Sequence, residues 1–365
     1  MERRLRGDPR DPVRVALGTD PFESLDDPDP FLEALAILGR EPATGPRPVE
    51  LPPPSPVVNP PPEPAEAPTP LRRRRWAVTP SLDEVELPDP RGWLERAIGP
   101  EERRRLAALS HLVDGEAPYD RFGLSPDVLR GSFPLFYALY KLYFRVKSEG
   151  HEHLPTEGPA ILASNHGGLL PFDGAMIVID TLLNTNPPRL ARAIVDRWAG
   201  RLPWVNVFLA RVGQIVGTRE NFADLLDDGQ LLLVFPEGME GVRKPIAQRY
   251  RVQRFHVGFI EQALLGRAPI VPMAVLGSDD QTPILYDIKP LARQLGLPAV
   301  PITPTFPWFG PLGLLPYPVG YKIVYGEPLR FHDRFGPSDA EDPRLIRYLA
   351  KQVRAEVQHL IDRNR

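Results

Sequence analysis

Between residues 160 and 277, short apolar runs alternate with segments of helical period, and this rhythm limits the possible folds more than any other feature. AILASN at 160–165, ARAIVD at 191–196, LLLVF at 231–235 and PIVPMAVLG at 269–277 are short enough for strands and apolar enough to be covered on both sides. Between them, DGAMIVIDTLL (173–183) reads as a helix, QIVG (214–217) leads into the helical ENFADLLDDG (220–229), and RFHVGFIEQALLG (254–266) is a helix ended by Gly266. Strand and helix in this order predict an α/β fold, a mixed sheet flanked by helices on both faces. A final amphipathic helix is expected from Pro343 to Arg365, with Leu345, Leu349, Val353 and Leu360 near one face.

The chain ahead of this region has a different composition. Of the 365 residues, 47 are proline, and most of the excess lies before residue 100. Residues 1–90 are expected to form a disordered, proline-rich N-terminal region, because PPPSPVVNPPPEPAEAPTP cannot bury a core and favours polyproline II. One short helix is expected near 29–40, with Asp29 as cap, Pro30 in the first turn and Gly39 at the end. Phe31, Leu35 and Leu38 would share its face, which suits either a transient helix or a docking peptide for a protein partner. Arg72 to Arg75, followed by Trp76, is either a solvated charge run or an anchor on anionic lipid. Residues 91–126 read as a helical lead-in, and 127–365 as the main domain. The helix expected over 127–147 mixes Phe133, Phe136, Tyr140, Tyr143 and Phe144 with Lys141 and Arg145, which fits a core helix or an interfacial one.

Several classes of function are disfavoured. A net charge of −3 gives no reason to expect nucleic acid as a partner. The chain has no cysteine, so disulfides, thiolate metal sites and a cysteine nucleophile are excluded. No secretory signal is visible in MERRLRGDPRDP. The uncharged stretch Pro301 to Gly320 is interrupted by six prolines, which rules out a regular membrane-spanning helix. His151 and His153 form an H-x-H pair without a ligand cluster, so no metal site is expected. No G-x-S-x-G elbow surrounds Ser164, and there is no phosphate-binding loop of the Walker type.

What remains is a histidine placed where chemistry is done. His166 follows an apolar strand directly, and open α/β sheets hold their sites at that end of a strand. Glycines 167 and 168 leave the imidazole accessible, and Asp173 follows closely enough to accept a hydrogen bond from it. Such a pairing fixes the tautomer and supports the imidazolium formed when the ring takes a proton. His166 is thus the expected general base, with Asp173 as its orienter.

Four segments occur in order: SNHGGLLPFDGAM (164–176), GQIVGTRENF (213–222), VFPEGMEGVRK (234–244) and PIVPMAV (269–275). Together they resemble the four motifs of the glycerolipid acyltransferase family, of the lysophosphatidate acyltransferase type. The resemblance runs from about Gly150 to Leu329. It implies transfer of a fatty acyl group from acyl-CoA, or acyl carrier protein, to the hydroxyl of a lysophospholipid, glycerolipid or other lipid alcohol. It implies no metal or redox cofactor, and a peripheral location on the cytoplasmic side of a membrane. By the same resemblance, Gly213 and Arg219 help to bind a phosphate-bearing group, Glu237 and Gly238 shape the acceptor site, and Pro272, after a strand, shapes the pocket. The family motif has four residues between His and Asp where this sequence has six, as in a branch that includes diacylglycerol acyltransferase-like members; Pro171 must then turn the loop back. Met239 and Glu240 stand where the family has Thr and Arg, so Arg243 and Lys244 are the candidate cations and a less polar alcohol becomes a candidate acceptor. Phe136, Tyr140, Trp308, Phe309 and Leu314 are expected to touch the membrane or an acyl chain. An ester or thioester hydrolase on the same His–Asp pair, and a non-catalytic lipid-associated scaffold, are the rival readings.

Overall fold

A computed structural model describes residues 98–113, 118–196, 203–295 and 299–365, with positions 80, 82–85 and 96 besides. The helix expected near 29–40, the Arg72–Arg75 cluster and, apart from a 3-10 turn at Leu82–Glu84, the proline-rich tail lie outside the described residues.

The described chain opens with helix α1 (Pro100–Ala108) and helix α2 (Pro126–Ala138), the latter prolonged by a π-helical turn at Leu139–Tyr143. Arg145 then takes a positive φ of 45° and the chain enters β1 (Lys147–Glu149). The single helix expected over 127–147 is therefore shorter, because the residues from 147 onward are taken into the sheet. After β2 (Ala160–Ser164) come α3 (Phe172–Asn184), β3 (Ala191–Val195), α4 (Val205–Arg211), β4 (Ile215–Val216) and α5 (Arg219–Asp227). They are followed by β5 (Leu231–Val234), α6 (Met239–Val242), α7 (Gly258–Leu265) and β6 (Ile270–Leu276). A small excursion holds β7 (Tyr286–Asp287), α8 (Lys289–Leu295) and β8 (Pro301–Ile302); β9 (Lys322–Tyr325) and the long α9 (Pro343–Asn364) close the fold.

The main sheet has seven strands in the order β1-β9-β6-β2-β5-β3-β4. It is parallel from β6 to β4; β9 runs antiparallel to β6, and β1 runs parallel to β9. The sheet is thus mixed, with helices on both faces. Alternation along the strands divides the core in two. Leu162, Leu233, Val271, Met273 and Val275 face α1, α2 and α3, while Ile161, Leu232, Val234, Ile270 and Ala274 face α5, α7 and α9. Burial on both faces is why these strands read as continuous apolar runs rather than alternating ones.

On α9 the buried stripe is Ile346, Leu349, Val353, Val357 and Ile361, each contributing roughly 1.5–3 kcal/mol of transfer free energy. Leu345 and Leu360 are only partly buried, so the stripe is rotated slightly from the expected one. Asp342 caps this helix by accepting from the backbone N–H groups of Arg344 and Leu345, and Pro343 occupies the first turn. Among the described residues, no helix is long and apolar enough to cross a membrane.

Candidate active site

Three adjacent parallel strands, β6, β2 and β5, end at the same edge of the sheet, and the loops beyond them build one cluster. β2 is locked at its end by Asn165. Its side-chain N–H donates to the Val275 carbonyl of β6 (2.9 Å), and its oxygen accepts from Val275 N–H (2.8 Å). His166 follows, its backbone N–H donating to Glu237 Oε1 at 2.9 Å. Its ring lies 4.2 Å from Phe235, nearly parallel to it. The His166 backbone and ring are therefore held from β5 and β6 before any substrate arrives.

Nδ1 of His166 donates to Asp173 Oδ2 at 2.6 Å. Pro171 turns the chain, α3 starts at Phe172, and Asp173 in its first turn projects back to the ring. The fully buried carboxylate also accepts from Gly167 N–H (3.0 Å) and Gly174 N–H (2.8 Å). The carboxylate thus has three donors and lies in the first turn of a helix, where the backbone N–H groups point toward it. With Nδ1–H bound, Nε2 carries the free lone pair, and 15% of the histidine side chain remains exposed. Burial disfavours the imidazolium, but Asp173, with Glu237 behind it, outweighs that cost and holds the His166 pKa above its ordinary value.

Beneath the histidine lies a buried ionic group. Glu237 Oε2 accepts from Gln253 N–H (2.7 Å) and lies 3.6 Å from Lys244 Nζ. Lys244 is 3.3 Å from Asp279 Oδ1, and Asp279 Oδ2 accepts from Tyr250 N–H at 2.7 Å. Burial raises the pKa of Glu237 and of Asp279, and Lys244 opposes the shift in both. Gly167 and Gly168 pack against the loop after β6. Gly168 has φ +78°, and a Cβ there would fall 1.7 Å from Gln281 Nε2, which itself donates to the Gly167 carbonyl (3.1 Å).

A carboxylate-oriented histidine at the C-terminal edge of the sheet can take a proton from a hydroxyl. Comparison with known proteins gives the family. The family model described as "Acyltransferase" matches residues 145–276. An uncharacterized protein of Mycobacterium tuberculosis is 36% identical over 297 residues, spanning 80% of this chain and 79% of that protein. The chain belongs to the acyltransferase family, to the glycerolipid type its four motifs resemble. A Gallus gallus protein named "DGAT1/2-independent enzyme synthesizing storage lipids" is 26% identical over 250 residues, 66% of this chain and 68% of that one. Among solved structures, 1-acyl-sn-glycerophosphate acyltransferase PlsC from Thermotoga maritima aligns over 72% of this chain and 83% of that one, with TM-score 0.42 and 18% identity.

The other residues singled out from the sequence of this acyltransferase are placed unevenly. Glu237 and Lys244 sit directly under His166, and Gly238 starts α6 with φ +53°. Arg243 pairs with Asp287 at 2.6 Å. Gly213 lies ahead of β4 with φ +90°, its carbonyl accepting from Nε of the buried Arg192 (2.9 Å). Arg219 starts α5 and pairs with Glu261 at 2.9 Å. Its strand, β4, stands three strand spacings from β2, about 14 Å. Pro272 is not after a strand but inside β6, paired with Ala163 of β2. It is tolerated there because the partner strand bulges: Ile270 bridges Leu329 and Met273 pairs with Tyr325, so residues 271–272 face residues 326–328.

Tyr140 does not face a membrane. It is buried, and its hydroxyl donates to Asp180 at 2.6 Å, because the π-helical turn rotates it onto the sheet. Phe144, just after the turn, and Phe133, on the inner face of α2, are core residues, and Phe136 is half-buried against Phe208. Trp308 and Phe309 are exposed, and Leu314 is half-buried. His151 and His153 are held by Ser148 and by the Tyr325 carbonyl. Asn165 stands in the first motif, but its tie to β6 was not foreseen, nor were Gln253, Asp279 and Gln281. The sequence around these last three gives no period or motif, and only the convergence of β2, β5 and β6 makes them neighbours. Gly241 is a further case: a Cβ there would sit 3.0 Å from the His166 carbonyl, so α6 approaches the base only without a side chain.

Proposed function

We propose that this acyltransferase moves a fatty acyl group from an acyl thioester, acyl-CoA or acyl carrier protein, to the hydroxyl of an uncharged lipid alcohol at a membrane surface. The observation that carries the choice of acceptor is the pairing of the candidate cations. Lys244 is committed to Glu237 and Asp279, Arg243 to Asp287, and Arg219 to Glu261. At Lys244 or Arg243 a phosphate group would have to break the pair and leave a buried carboxylate behind, which is costly, and Arg219, whose pair with Glu261 lies at the surface, starts a helix that follows β4, three strands away from β2. The name of the Gallus gallus relative, a storage-lipid enzyme, supports the same reading.

In the reaction, Nε2 of His166 takes the proton of the acceptor hydroxyl as its oxygen attacks the thioester carbonyl. Asp173 stabilises the imidazolium that results. The tetrahedral intermediate collapses, the C–S bond breaks, and His166 returns the proton to the leaving thiolate. General base assistance of this kind contributes typically about 10²–10⁴-fold. The test is an acceptor panel with purified protein and palmitoyl-CoA. Monoacylglycerol and diacylglycerol should be preferred over lysophosphatidate by about tenfold or more in kcat/KM. A preference for lysophosphatidate would overturn the uncharged acceptor, and release of free fatty acid in place of a new lipid ester would make the enzyme a hydrolase.

A further inference from the structure

The segment from 277 to 321 leaves the sheet at the end of β6 and returns at the start of β9. Leu276 pairs with Lys322 across that junction, so the whole excursion hangs over the edge that carries His166. The π-helical turn meets the same edge, because β1 begins beside Lys322. Two ties join the parts: Tyr143 donates its hydroxyl proton to the Pro316 carbonyl (2.6 Å), and Arg145 Nη2 donates to the Pro318 carbonyl (2.8 Å). A third connects the loop to the site: Tyr317 N–H donates to the Gln281 carbonyl at 2.7 Å, and the Gln281 amide holds the Gly167 carbonyl.

This structure presents large apolar side chains to solvent. Trp308 is 77% exposed and Leu142 75%, and Phe309, Leu312 and Leu315 are exposed with them. Residues 303–320 contain no charged side chain. The loop is also closed on itself. The N–H groups of Thr305 and Phe306 donate to Thr303 Oγ1, those of Phe309, Gly310 and Leu315 donate to loop carbonyls, and Thr305 Oγ1 donates to the Gly313 carbonyl. Prolines 304, 307, 311 and 316 have no N–H to satisfy. A segment that carries no charge and holds much of its backbone in local bonds is suited to a medium that offers few partners. Lys141, Arg145 and Lys147 are exposed in the same stretch as Leu142, and Arg145 is tied to Pro318 at the end of the loop, so cations that suit anionic headgroups accompany the apolar side chains.

We propose that the 303–317 loop, together with Leu142, is a bilayer-docking face that inserts into a membrane carrying anionic headgroups and sets the mouth of the His166 site against the lipid. The inference rests on the acyl-transfer reading only for the identity of what crosses that mouth; docking is read without turnover. The experiment is flotation of the full chain with extruded vesicles of phosphatidylcholine, with and without phosphatidylglycerol. Wild-type protein should float with vesicles, more strongly with the anionic ones. Trp308→Glu with Leu312→Glu should lower the partition coefficient by about tenfold or more, whereas Leu265→Glu, an exposed apolar site at the far end of α7, should leave it unchanged. The loop variant should keep the wild-type rate on a short-chain acceptor dissolved below its micellar concentration and lose rate on a vesicle-borne one. A well-folded loop variant that floats like wild type, or a wild-type protein that binds neither vesicle, would overturn the proposal. So would a loop-dependent dimer, or retention by a protein, without vesicle binding. Flotation that behaves as expected alongside a wild-type protein inactive on every acceptor would instead locate the failure in the acyl-transfer reading.

Discussion

Asp173→Asn separates orientation of the base from everything else at the site. In the wild type, Asp173 is fully buried and accepts three hydrogen bonds, from His166 Nδ1–H at 2.6 Å and from the N–H groups of Gly174 and Gly167 at 2.8 and 3.0 Å. An amide has one acceptor and one donor end. With its NH₂ at the Oδ1 position it opposes Gly174 N–H; with its NH₂ at Oδ2 it opposes Gly167 N–H and forces His166 Nδ1 to accept. The second arrangement moves the imidazole proton to Nε2, where the base should be free. The variant should lose about 10²–10⁴ in kcat, equivalent to roughly 3–5.5 kcal/mol of barrier. Loss of the charge also removes the main cause that raises the His166 pKa. The sign follows: the wild-type base is active when neutral, so its acidic limb in kcat/KM should lie above the ordinary histidine value of about 6.5, and the limb of the variant should fall below it. Stability changes the other way. A raised histidine pKa stabilises the fold below the unfolded-state value and that contribution fades as pH rises through the folded-state one, so Asp173→Asn should lose most stability in acid. The assay is kcat/KM against pH with urea unfolding alongside. A variant within threefold of wild type, with its acidic limb unmoved, would refute the orienting role.

Two further substitutions probe the support beneath the base. Lys244→Met leaves Glu237 and Asp279 buried without their cation and should cost about 3–5 kcal/mol in urea unfolding, more at high pH than at low, where the two raised carboxyls take up protons. Gly168→Ala must place a Cβ 1.7 Å from Gln281 Nε2 at φ +78°, so it should lower turnover sharply, whereas Gly131→Ala, in α2 with nothing within 4 Å, should leave activity unchanged and stabilise by about 0.5–1 kcal/mol.

The core strands were legible because burial on both faces leaves an uninterrupted apolar run, as in Leu231–Val234 and Ile270–Leu276. β1 was not, because Lys-Ser-Glu is polar and three residues show no period; its pairing with β9 is decided by chain far away. The helix expected to start at Arg254 starts at Gly258, since the preceding residues are drawn into an extended path where Gln253 N–H binds Glu237 and His256 N–H binds the Pro236 carbonyl. A local period carries no sign of that competing bond. His166, Asp173 and Glu237 could be named because they stand in motifs. Asp279 and Gln281 could not, because their importance lies in what they touch. The prolines of 301–320 excluded a helical span from sequence alone, but which of its apolar side chains point outward required the hydrogen bonds that close the loop.

The central claim is that His166 is the general base of an acyl transfer. The direct measurement is formation of lipid ester from palmitoyl-CoA and a neutral acceptor by purified wild type and His166→Gln, each checked for native unfolding behaviour. The account predicts ester formation by the wild type and a loss of about 10²-fold or more in the folded variant. Near-wild-type ester formation by folded His166→Gln would contradict it.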